Sequence, residues 1–241
     1  MLGILINLLY PASCQVCGIK TNRWNENICA DCLKNMRKRL PPFCRKCGRQ
    51  MPGNPGSENI CADCRNSAVY FDRALSAFHY DDSLKELVHS FKYNKATCMA
   101  KEFSDLITAF MKQHGIDREI DLILPIPMHP ARLFKREVNP SDILAKNIAR
   151  KLSVRYSGAF LKKIKNTRAQ SKLSRHERIK NIKGSFFLTR HGAIETRQKN
   201  ILLVDDLFTT GSTVNECARV LKKAGSGRVN VITLARGDSL P

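Results

Sequence analysis

The apolar residues of this chain change rhythm near residue 70. Before that point they are scattered among paired cysteines and turn formers with no sustained period; after it, short apolar runs alternate with helical stripes. Residues 71–80 have strand character, and Ser83-Leu84-Lys85-Glu86 has the form of a capping box opening a helix toward Tyr93. A second helix is expected over 100–113. Residues 121–127 form a short apolar run closed by proline, the pattern of a buried strand. Residues 141–152 carry apolar side chains at 143, 144, 148 and 152, a helical stripe. Strands near 159–164 and 185–188 flank a basic, polar stretch, and a strand over 200–204, a helix over 212–224 ending at Gly225 and a last strand over 228–234 complete the chain. This alternation after residue 120 predicts an α/β fold with a parallel sheet and flanking helices.

The change of rhythm also divides the chain. Residues 1–67 are expected to form a small Cys-rich domain and 68–241 the α/β domain, with 65–69 as linker. A chain of 241 residues with 43% hydrophobic side chains has length and apolar content for one such domain plus an appendage, which excludes a disordered tail. The apolar opening, 1–12, is too short to cross a bilayer and lacks the basic start and small-residue cleavage site of an export signal. The protein is therefore expected to be cytoplasmic and not an integral membrane protein. Residues 1–10 read as a short helix that packs on the Cys-rich region or docks on a membrane partner.

Eight of the ten cysteines form four C-x-x-C pairs: Cys14/Cys17, Cys29/Cys32, Cys44/Cys47 and Cys61/Cys64. Each pair turns two thiolates toward one point, as tetrahedral zinc demands. A disulfide framework would be opened by reducing cytosol, and a thioredoxin-like site needs one such motif in a βαβ setting. Two Cys₄ zinc sites are therefore predicted. The spacing leaves open a sequential arrangement, Cys14/Cys17/Cys29/Cys32 then Cys44/Cys47/Cys61/Cys64, or a crossed one. Four protein ligands leave no position for substrate, so both sites are structural, and a domain this small needs such staples. Cys98 and Cys217 stand alone and read as buried small hydrophobes.

Charge sharpens the picture because it is local. The formal net charge is +20, yet residues 127–190 alone hold seventeen basic and three acidic side chains. Two zinc tetrathiolates would lower the total only to about +16. The basic segment suits a polyanion, whether a pyrophosphate-bearing metabolite or a nucleic-acid backbone, or it is a solvated surface.

The richest motif is Ile201-Leu-Leu-Val-Asp-Asp-Leu-Phe-Thr-Thr-Gly-Ser-Thr213. An apolar strand ends in two carboxylates, and a hydroxyl-rich turn leads into a helix. Backbone N–H groups of Thr209, Thr210, Gly211, Ser212 and Thr213 can surround a phosphate dianion, with Gly211 removing the Cβ that would block approach. Asp205 and Asp206 repel phosphate and suit sugar hydroxyls, or Mg²⁺ directly or through its waters. A phosphorylated sugar satisfies both halves. The stretch is neither a Walker A loop nor a G-x-G-x-x-G fingerprint.

This stretch resembles the signature of the type I phosphoribosyltransferases, which bind 5-phosphoribosyl-1-pyrophosphate (PRPP). The order of the whole chain, with Tyr10-Pro11, the CxxC ribbons, Pro125-Ile-Pro-Met-His-Pro130, Thr167-Arg-Ala-Gln170 and then the signature, is similar to the ComF/GntX-like proteins linked to DNA uptake in competence. The resemblance implies a double zinc ribbon, a type I phosphoribosyltransferase fold, and PRPP with Mg²⁺ as ligands. It implies that Asp205 and Asp206 meet the ribose, Thr209 to Thr213 the 5-phosphate, and Arg132 and Arg136 the pyrophosphate. Arg168, Gln170, Arg178 and Asn181 match a basic loop that can close over the site. Arg136-Glu-Val-Asn-Pro140 departs from the family's Arg-Gly-Phe-Asn-Gln, losing a glycine and gaining a carboxylate. Two readings follow: an enzyme that displaces pyrophosphate from PRPP, its acceptor not readable, or a binder of single-stranded nucleic acid through 127–190 that keeps the fold without turnover. Partners among competence or DNA-processing proteins are also expected from the resemblance. His129, a lone histidine in the loop, reads as structural.

Overall fold

The computed structural model describes residues 13–21, 26–51, 59–93, 96–167 and 174–237. Its centre is a five-stranded, all-parallel sheet in the order β1-β7-β6-β2-β3, from Arg73–His79 (β1), Leu122–Pro125 (β2), Arg155–Tyr156 (β3), Ile201–Phe208 (β6) and Val229–Arg236 (β7). Strands buried on both faces read as unbroken apolar runs, as Ile201 to Val204 do. Their alternate side chains separate cleanly. Leu202 and Val204 join the core formed with Asp82–Tyr93 (α3), Ala96–Gln113 (α4) and Pro140–Leu152 (α6), while Ile201 and Leu203 join the opposite core with Ser212–Lys223 (α9).

Short elements fill the rest: Ala30–Asn35 (α1), Ala62–Arg65 (α2), Pro130–Arg136 (α5), Arg175–Ile182 (α7) and Arg190–Glu195 (α8). Leu161–Lys163 (β4) and Phe186–Leu188 (β5) pair antiparallel with each other, outside the main sheet. Three boundaries differ from the sequence reading. Helix α3 starts at Asp82, where the Leu84 amide donates to Asp81 Oδ1 at 3.2 Å and makes Asp81 the cap. Helix α4 starts four residues before the expected Ala100. Strand β6 runs through both aspartates to Phe208, since pairing with β7 continues through Leu207–Ala235 and Phe208–Arg236. The apolar opening, 1–10, lies outside the described residues. Among those described, no helix is long and apolar enough to cross a membrane.

The eight paired cysteines assemble sequentially. Cys14, Cys17, Cys29 and Cys32 form one cluster and Cys44, Cys47, Cys61 and Cys64 the other, with the sulfurs of each within 4.8 Å of one another. Four zinc–thiolate bonds of about 2.3 Å at tetrahedral angles place sulfurs about 3.8 Å apart. The Cys17–Cys29 and Cys47–Cys61 separations are 3.8 and 3.6 Å, so both sets fit zinc. Each first pair closes a knuckle, with the Gly18 amide on Cys14 O and the Gly48 amide on Cys44 O; each second pair opens a short helix, α1 or α2.

These ribbons are seated on the larger domain. Segment 37–39 lies antiparallel along the free edge of β1: the Arg39 amide donates to Ala77 O at 3.0 Å and the His79 amide to Arg37 O at 2.9 Å. An exposed strand edge invites unwanted pairing, and this segment covers it. Crossing that edge takes the chain from one face of the sheet to the other. Cys14, Ile28 and Met36 pack with α3 and α4, whereas Cys44, Cys47 and Cys61 pack with Phe71, Ala74 and Phe208.

Gly48 marks how tightly the second knuckle sits. Its φ is 67°, and a Cβ there would lie 2.3 Å from Ala74 O, on the strand whose Ala74 amide donates to Lys46 O. Left-handed backbone and a clash with main chain act together, so Gly48→Ala should cost about 2–3 kcal/mol. Urea unfolding measures this, and an unchanged midpoint would mean the ribbon is not seated on β1 as described.

Candidate functional site

Strands β2 and β6 are neighbours, but the chain leaves their carboxyl ends in opposite directions, β2 toward β3 and β6 toward β7. In open α/β sheets such a switch point opens a crevice outside the strand ends, where ligands bind. Here a cavity of about 660 Å³ occupies that position. Asp205, Asp206, Thr209, Gly211, Ser212 and Thr213 line it from the β6–α9 connection, and Arg132 and Arg136 from α5 after β2. Residues up to 81 positions apart in the chain thus converge on one space.

The turn is built by local chemistry. Gly211 caps α9 with φ 74°, and a Cβ on it would lie 2.5 Å from Phe208 Cζ, so glycine is required by both backbone and neighbour. Thr210 Oγ1 and Ser212 Oγ are 3.0 Å apart, and the Ser212 amide reaches Thr210 Oγ1 at 3.4 Å. The first amides of α9 have no intrahelical acceptors, which together with the helix dipole makes the turn a place for an anion. Thr210 does not line the crevice. It faces a second cavity of about 780 Å³ behind the turn, between the second ribbon and α9.

The Asp205 carboxylate is held by one group outside the motif and one within it. Ser141 Oγ donates to Asp205 Oδ1 at 2.8 Å, and the Asp206 amide donates to the same oxygen at 3.0 Å. Asn139 Nδ2 donates to Ile126 O at 3.0 Å, tying the start of α6 to the end of β2. Arg132 Nη2 donates to Thr167 O at 2.5 Å, fixing α5 against the segment after β4. His129 Nδ1 accepts from the Ala131 amide at 3.2 Å, so this side chain caps α5. Glu137, where the family pattern has glycine, adopts φ 62°.

Lys163 of β4 was not singled out by the sequence, where it is one lysine in a basic run. It lines the crevice, and burial holds its pKa below the ordinary value, with Arg132 acting in the same direction while Asp205 opposes it. Lys85, Arg132, Arg136, Lys163 and Arg178 give the walls five cations against Asp205 and Asp206. Such a field attracts an anion carrying more than one charge. Arg178 lies on α7, which Ser174 and Glu177 start with a capping box, and Asn181 is not among the lining residues. Arg168 and Gln170 lie outside the described residues. Cys217 is fully buried and Cys98 half-buried, away from both zinc clusters.

Glu216 of α9 fixes the neighbouring backbone. It accepts from Gly184 N at 2.7 Å and from Arg219 Nε and Nη2 at 2.8 and 2.7 Å. Burial opposes its ionisation, but the Arg219 and Gly184 bonds outweigh this and lower its pKa below the ordinary 4.5.

Comparison with known proteins agrees with both halves of the chain. A family model described as Double zinc ribbon domain matches residues 5–67, and one described as Phosphoribosyl transferase domain matches 141–240. The chain is 27% identical over 212 residues to Competence protein F of Haemophilus influenzae, covering 87% of this chain and 90% of that protein. It is 27% identical over 232 residues to DNA utilization protein YhgH of Salmonella typhimurium, covering 95% and 99%. With Competence protein ComFC of Bacillus subtilis it shares 29% over 216 residues, covering 88% and 85%.

Two outcomes follow from these contacts. Glu137→Gly should raise stability by about 1 kcal/mol by relieving left-handed backbone at a half-turn the glycine accepts freely, read as a higher urea midpoint. Glu216 has a lowered folded-state pKa, so its contribution is complete above about 4.5 and is lost as pH falls through that lowered value. Thermal melts of wild type and Glu216→Gln should therefore differ most near neutrality and converge on acidification; a constant gap would contradict the ionised pairing.

Proposed function

From a double zinc ribbon joined to a phosphoribosyl transferase domain, we propose that the protein is a PRPP-binding phosphoribosyltransferase that serves DNA uptake or the use of imported DNA. The observation that carries this reading is the convergence, at one switch-point crevice, of the Asp205–Asp206 pair, of Thr209, Gly211, Ser212 and Thr213 from the turn, and of the arginines of α5. The turn holds the 5-phosphate through main-chain amides and hydroxyls. The two carboxylates hold the ribose hydroxyls, with Ser141 keeping Asp205 oriented. Arg132, Arg136 and Lys163 face the pyrophosphate, and Arg168, outside the described residues, is proposed as a further cation for it. Mg²⁺, bound with PRPP, would neutralise charge on the leaving group.

In the reaction, the bond from C1 of the ribose to the pyrophosphate oxygen breaks, and its electron pair leaves with pyrophosphate. A lone pair of the acceptor forms the new bond to C1, and the acceptor's proton is lost to solvent. Positive charge grows on the ribose beside Asp205 and Asp206, and negative charge on the leaving group beside the cations. Charges fixed in place before the reaction stabilise both without reorganisation. Competence and DNA-processing proteins are the partners the relatives' names point to.

The altered Glu137 position, a carboxylate in the pyrophosphate loop, together with the net +14 of residues 127–190, favours a second reading. In it the chain binds single-stranded DNA through this segment without turnover. Calorimetric titration of PRPP with and without Mg²⁺ tests the first reading: Asp205→Asn combined with Asp206→Asn should weaken binding about tenfold or more, since charged hydrogen bonds to hydroxyls are lost. Unchanged affinity would remove the assignment. For the second, log K for single-stranded DNA should fall linearly with log salt, with a slope of about −0.7 per phosphate contacted, and no binding at about 50 mM salt would refute it.

A further inference from the structure

The second zinc cluster reaches the phosphate turn through one buried side chain. Arg236 ends β7 directly opposite Phe208, which ends β6. Its side chain is 3% exposed. Nη1 donates to Cys47 O at 2.5 Å, and Nη2 lies 3.8 Å from Cys47 Sγ. The guanidinium carbon stands 4.4 Å from the centroid of the Phe208 ring. That ring is the surface on which Gly211 rests, and Phe71 meets it edge-on at 6.2 Å. From the metal-binding cysteine to the turn the contacts are therefore unbroken: Cys47, Arg236, Phe208, Gly211.

The charges explain why this chain of contacts responds to metal. Zinc held by four thiolates carries a net −2, and in a buried site that charge needs donors and a counter-ion. Arg236 supplies both. In return, the tetrathiolate compensates a guanidinium that is almost wholly removed from water, a group that is costly to bury unpaired. Both clusters accept amides from their own ribbons, Val16, Cys29 and Cys32 in the first and Cys61 in the second, but only the second has a buried guanidinium against it among the described residues, and the first is the more exposed of the two.

We propose that Arg236 is a positioning residue through which the second zinc site sets the conformation of the phosphate turn, so that sugar-phosphate binding requires metal at Cys44, Cys47, Cys61 and Cys64. The inference rests on the reading of that turn as the phosphate holder. When the metal leaves, Arg236 loses its counter-charge and turns toward solvent, and the Phe208 ring loses one of its two faces. Gly211 then rests on an unsupported ring. Coupling of this kind is reciprocal, so a bound sugar phosphate must also tighten metal binding at the second site.

The test uses the full zinc-loaded chain, ribose 5-phosphate as probe, and three readouts: calorimetric affinity, zinc release to a chromogenic chelator, and hydrogen exchange of the peptide spanning 208–214. Arg236→Met should weaken the probe about tenfold, speed zinc release and raise exchange in 208–214, while Arg236→Lys, which keeps the charge but loses the planar stack, falls between. Phe208→Leu should raise exchange in 208–214 with zinc release near that of wild type, which separates the ring's role from the metal's. Ile28→Val, a comparable packing loss in the first ribbon, controls for general destabilisation and should leave exchange in 208–214 unaltered. Equal exchange in wild type and Arg236→Met, or equal increases in Arg236→Met and Ile28→Val, would overturn the coupling. Failure of wild type to bind ribose 5-phosphate, with exchange at the turn still responding to Arg236→Met, would instead overturn the phosphate reading and leave the coupling standing.

Discussion

Strands β2 and β6 lie side by side in a parallel register, and the divergence of the chain beyond them is the constraint on which the site depends. Pairing of Leu122 with Ile201 through Pro125 with Val204 aligns the two carboxyl ends. One connection then supplies a hydroxyl-lined helix start and the other a helix bearing arginines. Neither strand could be moved one place in the sheet without separating the acids and turn amides, which follow β6, from the guanidinium groups, which follow β2. The crevice is thus a product of strand order.

A sheet of this kind has an edge at β1, and the Cys-rich segment covers it. Residues 37–39 take the free hydrogen bonds of β1, and the ribbons on either side pack against opposite faces of the sheet. Zinc clusters usually brace a domain too small to have its own core. Here their apolar cysteines are also part of the larger domain's cores. The metal sites and the crevice consequently share neighbours, with Phe208 belonging to both.

Charge follows the same geometry. The excess of positive residues that the sequence shows between 127 and 190 is folded around the crevice by α5, β4 and α7, which contribute Arg132, Arg136, Lys163 and Arg178. Glu216, one turn into α9, holds the Gly184 amide beside this wall. Among the described residues, Asp205 and Asp206 are the only carboxylates lining the crevice.

The sequence alone determined the fold class, the four cysteine pairs and the Asp205–Thr213 motif, because each is a local pattern: apolar runs report burial, C-x-x-C turns report a shared ligand, and acids followed by a Gly-Ser-Thr turn report a strand end that leads into a helix start. It missed short elements such as β3, α5 and α8, whose two to seven residues are too few to show a period. It also placed the strands at 159–164 and 185–188 without their partners, which prove to be each other. Only the tertiary structure decided that the zinc ligands group sequentially, that Ser141 orients Asp205, that Lys163 enters the crevice and that Arg236 stands between Cys47 and Phe208. Ser141 and Asp205 are 64 positions apart and Cys47 and Arg236 are 189 apart, and side chains brought together by sheet order leave no repeating mark along the chain.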